Sequence, residues 1–85
     1  MIKLIYFTAD WCTPCQNLKP IMQELFKENP HIIKTIIDID KNEYIGSFYK
    51  IKSIPTIIFE KNGTESVRVT GAMSKSHYQN IINSL

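Results

Sequence analysis

Apolar and polar positions divide the chain into alternating short and long patterned segments. Ile2 to Phe7 is an apolar run with few polar breaks, as expected of a central strand covered on both faces. Thr8 to Trp11 forms the exit loop. From Cys12 onward, Leu18, Ile21, Met22, Leu25 and Phe26 recur at intervals of three and four, which predicts a helix with one core face. Pro20 lies inside that pattern and predicts a kink, and Glu28-Asn29-Pro30 ends it. Ile32 to Ile39 is a second β-rich run. A strand, a helix and another strand in this order predict a right-handed βαβ unit with parallel strands.

The second half is shorter in its periods. Asp40 to Asn42 offers caps for a short helix with Tyr44, Ile45, Phe48 and Tyr49 turned inward. Ile51 to Pro55 reads as a loop and Thr56 to Phe59 as a third strand. Lys61-Asn62-Gly63 is a hairpin turn, since Asn-Gly accommodates the two positive φ values such a turn needs. Val67 to Thr70 is then a fourth strand, antiparallel to the third, broken by Gly71. Ser74 or Ser76 caps a last helix with Tyr78, Ile81, Ile82 and Leu85 on its core face. The order β-α-β-α-β-β-α predicts an α/β fold, a mixed four-stranded sheet with helices on both faces.

Eighty-five residues predict one domain spanning 1–85. So short a chain buries only about 60% of its unfolded surface, so its core must be efficient. Ten basic and eight acidic residues leave a formal charge of +2, scattered rather than clustered. That pattern predicts neither nucleic acid nor a membrane surface as a partner. Met1-Ile2-Lys3-Leu4 lacks the long apolar stretch of a signal peptide, and no run approaches the ~20 apolar residues of a membrane span. The expectation is a cytoplasmic protein, in a reducing compartment where paired cysteines are catalytic or metal-binding more often than structural.

Cys12 and Cys15 are the only cysteines, and they sit where the first strand passes into the first helix. Unpaired N–H groups and the positive end of the helix dipole there favour a thiolate. Cys12 is the expected nucleophile and the more exposed of the two, its thiol held below the ordinary value of about 8.5. It would attack a substrate disulfide and form a mixed disulfide. Cys15, one turn inside, would then displace the reduced partner and close the Cys12–Cys15 disulfide. A purely structural disulfide is the plainer alternative, but one closing so small a loop stabilises little. Two thiolates supply half of a tetrahedral zinc site, so no metal is expected within one chain; a metal bridging two chains is a rival. His31 and His77 read as surface residues. Pro14 suits a first helical turn. Thr13 is either a hydroxyl donor to the Cys12 thiolate or an exposed helix-start residue. Trp11 is expected to shield the disulfide and offer a contact surface.

Trp11-Cys12-Thr13-Pro14-Cys15, with Phe7-Thr8-Ala9-Asp10 before it, resembles the Trp-Cys-Gly-Pro-Cys segment of the thioredoxin family. Ile39-Asp40, Ile54-Pro55-Thr56, Lys61-Asn62-Gly63 and Gly71-Ala72 find counterparts in the same order. The resemblance implies a thioredoxin-like fold and a protein-disulfide reductase with Cys12 and Cys15 as its redox-active pair. It implies a cis Pro55 that turns the Ile54 backbone toward the sulfurs as a substrate edge, with Trp11, Gly71 and Ala72 beside it. It further implies no bound cofactor, an external donor (thioredoxin reductase or glutathione), disulfide-containing protein substrates and a monomer. The chain departs from the family by lacking its N-terminal strand and helix, which leaves a glutaredoxin-sized core. Thr13 replaces a glycine and Thr8 a tryptophan. Tyr6 and Ile36 replace a buried acid and its lysine, and both are expected to pack. The rival readings are a glutathione-dependent, glutaredoxin-like reductase and a redox-silent binding module using the Pro55 edge.

Overall fold

The computed structural model describes residues 1–85. Strand β1 (Ile2–Thr8) leads into helix α1 (Thr13–Glu28), followed by β2 (Ile33–Asp38) and α2 (Glu43–Phe48). Strands β3 (Thr56–Lys61) and β4 (Thr64–Thr70) form a hairpin, and α3 (Lys75–Ser84) closes the chain. The four strands form one sheet in the order β2-β1-β3-β4. β2 runs parallel to β1, β3 antiparallel to β1, and β4 antiparallel to β3. The expected mixed sheet and element order are therefore present.

The apolar run of β1 has the consequence expected for a central strand. Leu4 and Tyr6 pack on one face with Leu18, Met22 and Leu25 of α1 and Tyr78 and Ile82 of α3. Ile5 and Phe7 pack on the other face with Ile37 and Ile58, against Ile45 and Tyr49 of the α2 region. Asn29 ties the two helices of the first face together. Its side-chain amide donates to the Leu25 carbonyl at 2.8 Å and to Gln79 Oε1 at 2.7 Å. Helix α1 runs unbroken through Pro20.

Element boundaries move slightly. β3 extends to Lys61 and β4 begins at Thr64, because the Asn62-Gly63 turn is tight enough to let pairing reach it. Asn62 has φ 52° and Gly63 φ 83°, the left-handed values that this residue pair accommodates. Ser74, of the two candidate caps, accepts the His77 N–H at 3.2 Å.

Two packing expectations fail. Tyr44 and Phe48 are not core residues: they are 82% and 69% exposed. In a helix of only six residues, Ile45, Gly46 and Tyr49 take the sheet-facing positions, so their neighbours Tyr44 and Phe48 are rotated off that face. With Lys3, Ile5, Thr35 and Ile37 they rim an open cleft of about 360 Å³. Ile36 is also exposed, at 60%. It lies on the edge strand β2, across from buried Tyr6, and lines an open recess rather than closed core. Asn42 occupies the N-cap of α2 without a side-chain cap bond. The Asp38 carboxylate instead accepts the Asp40 and Lys41 N–H groups, at 2.9 and 3.4 Å.

Candidate active site

The C-terminal end of β1 and the N-terminal end of β3 lie side by side, with Phe7 paired to Thr56. The loop leaving β1 and the loop entering β3 therefore meet at one end of the sheet. Cys12 takes an extended conformation as the N-cap of α1 (φ −88°, ψ 107°), with Thr13 and Pro14 opening the helix. Its Sγ accepts the Cys15 N–H at 3.2 Å. A sulfur in that place receives one of the otherwise unpaired N–H groups of the first turn, and no acidic residue opposes it there. Cys12 and Cys15 are joined as a disulfide, with Cα atoms 5.2 Å apart. Both are buried, Cys12 at 4% and Cys15 at 1% exposure, so the difference in exposure is small.

The Ile54–Pro55 peptide is cis. The Ile54 carbonyl lies 3.9 Å from Cys12 Sγ, and the Gly71 N–H donates to the Pro55 carbonyl at 2.9 Å. Gly71 has φ 90°, a conformation that strains any residue with a Cβ. The three loops that hold Cys12, Pro55 and Gly71 are thus brought together. Ala72 next to Gly71 is exposed. Trp11 is 66% exposed, and its Nε1–H donates to Asp40 Oδ2 at 2.7 Å. Together with Ile39, Ile51, Lys52, Ser53 and Ile54 it lines a groove of about 320 Å³. Thr13 is exposed, and its hydroxyl makes no bond to the protein.

Asp40 was legible only as a cap or as half of the Ile39-Asp40 pair. Its bond to Trp11 depends on where β2 ends, which sequence spacing alone does not reveal. Tyr6 is buried as expected, and its hydroxyl donates to the Cys15 carbonyl at 3.0 Å. That bond anchors the first turn of α1 to the central strand.

A family model described as Thioredoxin matches residues 1–84. The chain belongs to the thioredoxin family. It is 42% identical to the thioredoxin of Chlamydia pneumoniae over 80 residues, covering 94% of this chain and 78% of that protein. It is 41% identical to the thioredoxin of Rickettsia felis over 81 residues, covering 94% and 77%. Among solved structures it is similar to thioredoxin-2 of the malaria parasite, with a TM-score of 0.96 at 31% identity, covering 100% of this chain and 84% of the other. Thioredoxin membership and the paired cysteines make the protein a thiol–disulfide oxidoreductase acting on protein disulfides. No group of three or more His, Cys, Asp or Glu side chains is placed to hold a metal ion. No helix is long and apolar enough to cross a membrane.

Proposed function

We propose that Cys12 is the entering nucleophile and Cys15 the resolving thiol in a cytoplasmic, monomeric reductase of protein disulfides, residues 1–85 acting as one domain. The observation that carries this reading is the Cys15 N–H held 3.2 Å from Cys12 Sγ at the head of α1. An N–H donor and a helix terminus both stabilise a thiolate at Cys12 and leave Cys15, one turn inside the helix, without the same support. Substrate in extended form would lie along Ile54 and Pro55, with Trp11 lining the groove beside Ile54 and Gly71 and Ala72 flanking Pro55. Thr13 and Pro14 set the first turn and keep acidic charge away from the sulfur. The cycle needs no bound cofactor. Thioredoxin reductase is the proposed electron donor, because every relative named above is a thioredoxin.

Trapping and turnover test this together. Cys15→Ser should accumulate mixed disulfides with protein substrates, whereas Cys12→Ser should not. Wild type should reduce insulin with thioredoxin reductase as donor and far more slowly with glutathione. Equal trapping by both variants would reverse the two roles, and efficient turnover with glutathione would reassign the donor.

A further inference from the structure

On the α1 side of the sheet, behind the disulfide, lies a recess of about 250 Å³. Cys15, Tyr6, Thr8, Asp10, Lys19 and Asp38 are among the residues lining it. A volume of that size has room for several waters. The recess shares no lining residue with the proposed substrate groove, whose lining includes Trp11 and Ile54 but not Cys15.

Cys15 raises a question of proton balance. It is 1% exposed, and burial disfavours a thiolate. Yet it must lose its proton before it can attack. Tyr6 offers no base, because a phenol oxygen that keeps its own proton, here donated to the Cys15 carbonyl at 3.0 Å, is far too weak a base to take a second. Lys19 is a cation. Asp10 is exposed, in the loop before α1. Asp38 is half-buried on β2, paired to Thr8 and on the same sheet face as Tyr6. Its Oδ1 is held by the Asp40 and Lys41 N–H groups. That leaves Oδ2 free of protein partners, and Asp38 lines the same recess as Cys15.

We propose that Asp38 is the proton acceptor for Cys15, reached through water in this recess. In the mixed disulfide, the Cys15 S–H gives its proton to the water, which passes a proton to Asp38. The Cys15 thiolate then attacks Cys12 Sγ. The Cys12–Cys15 bond forms as the bond from Cys12 to the substrate sulfur breaks. The electron pair leaves on the substrate thiolate, which is thereby reduced and takes a proton from solvent, and Asp38 returns its proton to bulk water. Lys19 and Asp10 are the other charged groups lining the recess.

The proposal rests on Cys15 being the resolving thiol, and the experiment separates the two claims. Reduced protein is mixed with 5,5′-dithiobis(2-nitrobenzoic acid) in a stopped-flow instrument. Release of the first thionitrobenzoate reports attack by Cys12, and release of the second reports attack by Cys15. Asp38→Asn keeps an oxygen for the Asp40 and Lys41 amides while removing the proton acceptor. It should slow the second phase tenfold or more, with the first phase within about twofold, in line with the low end of general-base effects. Its second phase should rise in proportion to hydroxide between about pH 6 and 8, where wild type is shallower. Asp38→Ser, which also offers an oxygen to the loop amides, should behave like Asn, and Asp38→Glu should recover part of the rate. An unchanged second phase in both Asn and Ser variants overturns the proposal, as does an equal loss in Asp10→Asn alone. A Cys15→Ser protein that still shows the second phase would instead remove Cys15 from the resolving role.

Discussion

Tyr6 occupies a position where burial and hydrogen bonding can be separated by one atom. Its ring is part of the α1-side core and its hydroxyl donates to the Cys15 carbonyl. Tyr6→Phe removes the bond and keeps the packing, so stability should fall by about 1 kcal/mol, read as a shift in denaturant midpoint at unchanged slope. A larger loss would mean that the hydroxyl organises more than the first turn of α1. The cysteines themselves were legible in the sequence because their chemistry depends on local spacing and on the strand-to-helix passage. Asp38 and Asp40 were not legible as site residues. Asp38 ends β2 and Asp40 lies two residues beyond it, and only the register Thr8↔Asp38 brings that strand end beside the active-site loop. Ile36 misled for a related reason: an apolar residue on an edge strand need not find a partner.

Helix α2 shows how little cover six residues provide. Periodicity identified the helix but counted four apolar residues inward, whereas only Ile45 and Tyr49 of those meet the sheet. Gly46 is the one buried residue of the helix. A Cβ built there would come 3.8 Å from Ile39 Cγ2, ordinary van der Waals contact, and its φ is not left-handed. Gly46→Ala should therefore stabilise the protein by about 0.5–1 kcal/mol through helix propensity, measurable in the same denaturant titration. Destabilisation would show that α2 sits closer to Ile39 than this spacing allows. Elsewhere local signals sufficed. The Asn62-Gly63 turn and the Ser74 cap act within a few residues, so tertiary packing had little scope to override them.

For the molecule as a whole, the groups displaced from ordinary titration lie at the alkaline end, except Glu65, whose carboxyl is pulled down by its bond from Arg68. Burial pushes the Tyr78 phenol up, although its bond from the Met73 N–H works the other way. Hydrogen bonds to Glu28 and then Glu24 push the Lys75 ammonium up, and burial, followed by Glu60, raises Tyr49. Each group binds its proton more tightly folded than unfolded. Its stabilising contribution is therefore complete below its unfolded value, near pH 10, and is lost as pH rises through the folded value. Melting temperatures should hold from about pH 8 to 9 and fall above 10, with a shallower fall in Tyr78→Phe. The order β2-β1-β3-β4 carries one more consequence. β1 and β3 have neighbours on both sides, whereas β2 and β4 each leave one row of amides outside the ladder. In deuterated buffer the amides of β1 and β3 should be the last to exchange, opening only when the whole molecule does, while the outward amides of β2 equilibrate through local fluctuation. The cysteine loop hangs from the end of β1 and the Pro55 loop from the start of β3. The two halves of the site are thus moored to the slowest-exchanging strands, so a passing partner meets a surface whose framework seldom opens.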